Sequence, residues 1–157
     1  MISVVMVCTG NICRAPTAEG VLRAKVTERG LGNQFEIDSA GLISYHVGES
    51  PDPRSMRMAA SRGIDISDQR SRRIRSDDFV KFDYILAMDR GHKAELEGLA
   101  PSAMHKIHTL LSFLADSDVD DVPDPYYGGS EGFTHTFDYI ERGCEAFLDY
   151  LEREGKL

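Results

Sequence analysis

Two residues near the start of the chain carry the strongest chemical signal. Cys8 and Arg14 are separated by five residues in the segment Cys8-Thr9-Gly10-Asn11-Ile12-Cys13-Arg14-Ala15-Pro16. A thiol becomes a strong nucleophile once it loses its proton. An arginine offers two parallel N–H donors that match a pair of phosphate oxygens, which lysine does not. Gly10 and Asn11 are residue types that tolerate left-handed backbone. The segment can therefore curl and turn successive amide N–H groups inward as an anion site. A helix beginning near Ala15 adds the positive end of its dipole. Such a cup is expected to lower the pKa of Cys8, to hold a thiolate at neutral pH, and to aim it in line at the phosphorus of a bound ester. Spacing alone is a weak signal, because free cysteine is often a small buried apolar residue. Its place between a strand and a helix is what gives it weight.

A second chemical segment lies far downstream, at Val122-Pro123-Asp124-Pro125-Tyr126-Tyr127-Gly128-Gly129. The two prolines hold Asp124 in extended, non-helical backbone. A carboxylic acid on a loop over the cup could protonate a departing alkoxide or phenoxide. Tyr126 and Tyr127 could wall the entrance and stack on an aromatic substrate.

The elements that must position these groups alternate in kind. Ile2–Val7 is a short β-branched run typical of a buried parallel strand. Pro16 to Arg29 reads as a helix, with apolar residues at helical spacing and Gly30 beyond its end. Phe35–Ser39 is a second strand, Pro53–Arg62 a second helix, and Tyr84–Met88 a third strand. Asp89 is placed to cap a helix that runs to about Gly98. His105–Thr109 is a fourth strand, and Ser130 to Glu154 a long amphipathic helix with Cys144 on its apolar face. This alternation predicts one α/β domain over residues 1–157 with a parallel sheet. Ligands of such sheets bind beyond the carboxyl ends of the strands, which points to the turn after Val7.

Composition narrows the partners. The chain has 157 residues, with 18 basic against 26 acidic side chains and a net charge of −8. Binding of nucleic acid through a basic surface is not expected, nor is attraction to an anionic membrane. The longest apolar run, Val4 to Cys8, is too short for membrane insertion or a signal-peptide core. The three cysteines form no disulfide framework or CxxC pair, so the chain reads as cytoplasmic. The five histidines (His46, His92, His105, His108 and His135) make no metal-ligand spacing and read as structural or surface residues. Arg70, Arg72, Arg73 and Arg75 form a basic cluster. It reads as a solvated face balanced by Asp65, Asp68, Asp77 and Asp78 rather than a docking patch.

With both motifs placed, the chain resembles the low-molecular-weight protein tyrosine phosphatase family over nearly its whole length. Val7 to Pro16 looks like the phosphate loop of that family. Asp38-Ser39-Ala40-Gly41 looks like its second-strand motif, Phe82 to Asp89 like its third strand, and Asp124 to Gly128 like its general-acid loop. The resemblance implies a four-stranded parallel sheet flanked by helices on both faces. It implies hydrolysis of phosphotyrosine in proteins and of small aryl phosphates, with no metal or organic cofactor. Cys8 would form a cysteinyl-phosphate intermediate, Arg14 would clamp the phosphoryl group, and Asp124 would serve as acid and then base. Thr9, Gly10, Asn11, Ile12 and Cys13 would surround the phosphate, with Ser39 supporting Asn11. Tyr45, Tyr126 and Tyr127 would line the mouth. Cys13 would trap oxidised Cys8 as a reversible disulfide. Phosphotyrosine proteins would be the partners, opposed by a cognate tyrosine kinase.

Two departures stand out. Ala15 occupies a position where the family usually has serine or threonine, whose hydroxyl would bond the nucleophilic sulfur, with Thr17 as a partial substitute. Asp68 lies in a segment where many relatives carry a histidine that braces the loop asparagine. Three other readings share parts of the pattern. A protein arginine phosphatase tends to carry threonine where this chain has Ile12, and an apolar side chain suits an aromatic ring better than a guanidinium. An arsenate reductase would need further redox cysteines in mid-chain. A phosphate carrier or phosphotyrosine-binding module with slow turnover would not need both Arg14 and Asp124.

Overall fold

The computed structural model describes residues 1–115, 119–125 and 129–157. Four strands, β1 (Ile2–Cys8), β2 (Phe35–Gly41), β3 (Tyr84–Ala87) and β4 (Ile107–Thr109), form a sheet in the order β2-β1-β3-β4. Each neighbouring pair is parallel. Among the described residues, five α-helices accompany them: α1 (Arg14–Glu28), α2 (Pro53–Ser61), α3 (Asp78–Lys81), α4 (Arg90–Leu99) and, after the last strand, α5 (Gly129–Arg153).

Strand parity explains where the core sits and why Cys8 is buried. Successive side chains of β1 point to opposite faces. Val4, Met6 and Cys8 join the cluster built with α1 and α5, among them Val21, Leu22, Phe137 and Leu148. Val5 and Val7 join the other cluster, with Ile85, Ala87, Phe82 and Leu96. Helices thus cover both faces, as the resemblance implies. Cys144 is fully buried in the first cluster.

The chain leaves β1 toward β2 on one side and later returns to place β3 on the other. The carboxyl ends of β1 and β3 therefore flank the crevice where strand order reverses, the usual ligand position in open parallel sheets. Cys8 ends β1, and Asp89 follows the end of β3 by two residues.

Boundaries differ from the sequence expectation where loop chemistry intervenes. Helix α1 begins at Arg14, ahead of Pro16, because proline is at home in a first turn. Strand β2 continues through Gly41, where it hydrogen-bonds the segment at Arg72 and Ile74. Residues Pro101–Lys106 form a 3₁₀ helix, so β4 starts at Ile107 rather than His105. The short helix α3 has too few residues to show a helical period in sequence.

Candidate active site

The loop from Thr9 to Cys13 is held open by bonds on its outside. The Cys8 and Thr9 carbonyls both accept from Leu42 N, at 3.0 and 2.8 Å, and Ile43 N also donates to Thr9 O at 3.1 Å. Gly10 O accepts from Ser71 Oγ at 2.9 Å. Ile12 O accepts from Asp52 N at 2.8 Å. Cys13 O accepts from Thr17 Oγ1 at 2.8 Å. With these carbonyls committed outward, the backbone N–H groups of Ala15, Asn11 and Ile12 favour the charged form of the Cys8 sulfur. Helix α1 has no side-chain cap and no acidic residue in its first turn, so its positive end is left for the cup.

Asn11 takes the turn at φ 58°, the one non-glycine with positive φ among the described residues. Its Nδ2 donates to Ser39 Oγ at 3.0 Å, and its Oδ1 accepts from Arg72 N at 3.0 Å. Ser39 Oγ donates onward to Glu19 Oε1 at 2.7 Å. The Arg72 backbone thus supplies a brace, while Asp68 is exposed. Gly10 does not adopt positive φ, contrary to expectation. Its need for glycine is close approach: a Cβ there would lie 2.9 Å from the His46 ring. Gly41 is tighter still, since its Cβ would meet the Thr9 carbonyl oxygen at 2.9 Å.

Inside the loop is a cavity of about 250 Å³. Residues 8–10 and 12–14 form its floor and wall, and Ile43, His46 and Asp124 complete the rim. Arg14 is buried at 8% exposure. Its Nη1 donates to Asp89 Oδ2 at 3.1 Å and to Val122 O at 3.0 Å, and its Nη2 lies 3.8 Å from Asp124 Oδ2. The Asp124 loop is tied to the sheet by Val122 N donating to Met88 O at 2.8 Å and to α5 by Thr136 Oγ1 donating to Pro123 O at 2.8 Å. Residues from three separate segments, 8–14, 43–46 and 124, therefore line one cavity.

The thiol of Cys8 departs from the expected direction. Burial is the largest influence and pushes its pKa up. The amides of Ala15, Asn11 and Ile12 and the guanidinium of Arg14 pull it down without reversing the rise. Burial strips the sulfur of water more effectively than the nearby donors replace that water. Cys13 is pushed up to about 12, chiefly by burial.

Some expected residues lie elsewhere. Tyr45 is 82% exposed, with its ring edge against His46, and it does not line the cavity. Tyr126 and Tyr127 lie outside the described residues. Thr17, offered as a partial substitute for a hydroxyl at position 15, spends its own hydroxyl on Cys13 O. Arg72 pairs with Asp38 at 3.1 Å and Asp78 at 2.9 Å, so the basic cluster is partly structural and uses partners other than most of those expected. Ile43, His46, Asp89 and His92 are not marked as site residues by the sequence, and Ile43 lines the rim. His46 reaches the rim, its Nδ1 2.8 Å from Glu49 Oε2. Asp89 caps α4 as expected, through His92 N at 2.8 Å, and in addition pairs with Arg14. His92 lies behind the cup, its Nε2 2.9 Å from Thr9 Oγ1. Nothing local in the sequence marks the contacts of Asp89 with Arg14 and of His92 with Thr9, since each joins distant segments.

A parallel sheet whose first strand delivers a thiol into a ring of amides, with a buried arginine beside it, defines a phosphoryl-handling cysteine enzyme. Comparison with known proteins gives the family. The low molecular weight phosphotyrosine protein phosphatase model matches residues 3–157. A Streptomyces coelicolor protein named low molecular weight protein-tyrosine-phosphatase is 41% identical over 150 residues, spanning 92% of this chain and 90% of its own. The crystal structure of protein tyrosine phosphatase from Entamoeba histolytica superposes with a TM-score of 0.93 at 40% identity, covering 100% of both chains. That of Drosophila arginine phosphatase superposes with a TM-score of 0.87 at 35% identity, covering 96% of this chain and 97% of its own. The chain belongs to the low molecular weight phosphotyrosine protein phosphatase family. Among the described residues, no helix is long and apolar enough to cross a membrane.

Proposed function

We propose that this protein hydrolyses phosphotyrosine in proteins through a phosphorylated Cys8. The observation that carries this reading is the convergence of Cys8, Arg14 and Asp124 on one cavity. In the first step the Cys8 thiolate attacks phosphorus. An S–P bond forms, the P–O bond to tyrosine breaks, and Asp124 gives its proton to the departing phenolic oxygen. In the second step Asp124, now a carboxylate, takes a proton from water. The water oxygen attacks phosphorus, the S–P bond breaks, and phosphate leaves as the thiolate is restored.

The loop amides and Arg14 supply electrostatic stabilisation to the equatorial phosphoryl oxygens in both steps. Because Cys8 is held up by burial, the reactive thiolate forms at the cost of a proton that must leave the cup. The positive end of α1 and the Arg14 charge favour that state. A phosphate at the bottom of a cup is reached by a long flat phenol and not by the short serine side chain. The apolar faces of Ile12 and Ile43 suit an aromatic ring, which favours phosphotyrosine over phosphoarginine.

The substrates would be products of a tyrosine kinase acting in the same compartment. The three free cysteines fit a reducing, cytoplasmic setting. The functional test is turnover on p-nitrophenyl phosphate, phosphotyrosine and phosphoarginine, with Cys8→Ser as control. Activity on both aryl esters that is abolished by Cys8→Ser supports the reading. Activity confined to phosphoarginine contradicts it.

A further inference from the structure

Arginine has five N–H donors in a fixed plane. In Arg14 the two on Nη1 are taken by Asp89 Oδ2 and Val122 O. One side of Nη2 faces His92 Nε2 at 3.5 Å. This leaves Nε–H and the adjacent Nη2–H, the parallel pair on one edge of the guanidinium, for the cavity. The orientation of that edge therefore depends on what grips the rest of the group.

His92 is one of the grips, and its surroundings dictate its state. It is 5% exposed, behind the loop rather than in the cavity. Its Nε2 is 2.9 Å from Thr9 Oγ1. Its Nδ1 is buried and makes no well-formed hydrogen bond; it lies 3.3 Å from Asp89 Oδ1. Arg14 can only donate, which favours a lone pair on Nε2. The Asp89 carboxylate can only accept, which favours the hydrogen on Nδ1. The Thr9 hydroxyl turns to donate to Nε2. An apolar side chain would fill this volume without a poorly satisfied nitrogen, so packing alone does not account for a histidine here.

We propose that His92, as its neutral Nδ1–H tautomer, is a positioning residue that sets the phosphate-facing edge of Arg14 and the Thr9 end of the loop before substrate arrives. The proposal rests on the reading of Arg14 as the phosphoryl clamp. Burial, more than the charges around the ring, favours a neutral imidazole. Burial holds its pKa below the ordinary range, and Arg14 acts in the same direction. Asp89, Asp124 and Asp121 oppose this without overcoming it.

The test uses the full chain and inorganic phosphate as probe, with His92→Ala, His92→Gln and Arg14→Ala. Glutamine keeps an acceptor near the position of Nε2 and has no titrating ring. His92→Ala is expected to raise KM for p-nitrophenyl phosphate and Kd for phosphate about tenfold or more, the scale of loss when a reacting group is misplaced. His92→Gln is expected to recover most of that loss. A merely structural role would reduce the folded fraction and hence kcat while KM and Kd stay put, and that result overturns the proposal. ¹⁵N NMR of wild-type protein reads the ring directly, even where a variant fails to fold. Protonated Nδ1 with bare Nε2 at neutral pH is expected; the Nε2–H tautomer or an imidazolium overturns it. If Arg14→Ala weakens phosphate binding and His92→Ala does not, only the role of His92 fails. If Arg14→Ala leaves phosphate binding intact, the clamp reading fails with it.

Discussion

Asn11 Nδ2 donates to Ser39 Oγ across 3.0 Å, joining the turn of the Cys8–Arg14 loop to the neighbouring strand. The hydroxyl of Ser39 continues to buried Glu19, which pairs with Arg23 at 2.8 Å. The positive φ of Asn11 is thus fixed from outside the cup, in advance of any ligand.

Ser39→Ala is therefore expected to damage both stability and rate. It leaves Asn11 Nδ2 and the Glu19 carboxyl each short of a buried partner, a loss of about 1–3 kcal/mol. Urea unfolding and p-nitrophenyl phosphate kinetics check this. Asn11→Gly should retain more stability than Asn11→Ala, because alanine is strained at the backbone angle that Asn11 adopts. Equal stability of the two variants would show that the loop relaxes away from the positive φ.

Ala15 is fully buried and its amide already favours the thiolate of Cys8. A hydroxyl added there would supply one more donor to a thiolate that burial disfavours. Ala15→Ser is expected to lower the Cys8 pKa and to speed hydrolysis of the phosphoenzyme, in which sulfur is the leaving group. Stopped-flow traces with p-nitrophenyl phosphate should show a higher steady-state rate. Burst and steady-state rates equal to wild type would rule the effect out.

Two histidines tie stability to pH. Burial holds both His92 and His108 below the ordinary imidazole range. The unfolded chain takes up these protons near about pH 6.5, while the folded chain resists until lower pH. Their contribution is complete above that value and declines as pH falls toward the folded-state pKa values. Glu19, raised by burial, runs the opposite way. The comparison of wild type with His108→Gln isolates one histidine: its Tm should fall less than wild type between about pH 7.5 and about pH 5. Parallel Tm curves would contradict the assignment.

Cys144 packs in the core with its Sγ near the Ala18 carbonyl, and burial pushes its pKa up. Cys144→Ala should cost about 0.5–1.5 kcal/mol, as for a small core deletion, and leave kcat and KM unchanged. Iodoacetamide should not label Cys144 in the folded enzyme. Labelling of Cys144 at a rate matching an unfolded control would place it outside the core.

Much of this site is legible in one dimension because it is contiguous. Cys8 to Arg14 sits on a single strand–loop–helix passage, so spacing and residue type announce the cup. The β-branched run before Cys8 likewise announces β1, and the parity of that strand explains the burial of Cys8. What escapes is convergence between distant segments. Asp89 and His92 meet Arg14 only because β3 is laid beside β1, and His46 reaches the rim only because Gly10 leaves room for it. The direction of the Cys8 shift escapes for a related reason: amide donors can be guessed from a loop, but the depth of burial depends on the whole fold.

The phosphoryl group is expected to pass through Cys8. Enzyme quenched in acid during turnover of p-nitrophenyl phosphate, then digested and read by tandem mass spectrometry, should carry phosphate on Cys8. A phosphate adduct on any other residue, or full activity in Cys8→Ser, would contradict the account.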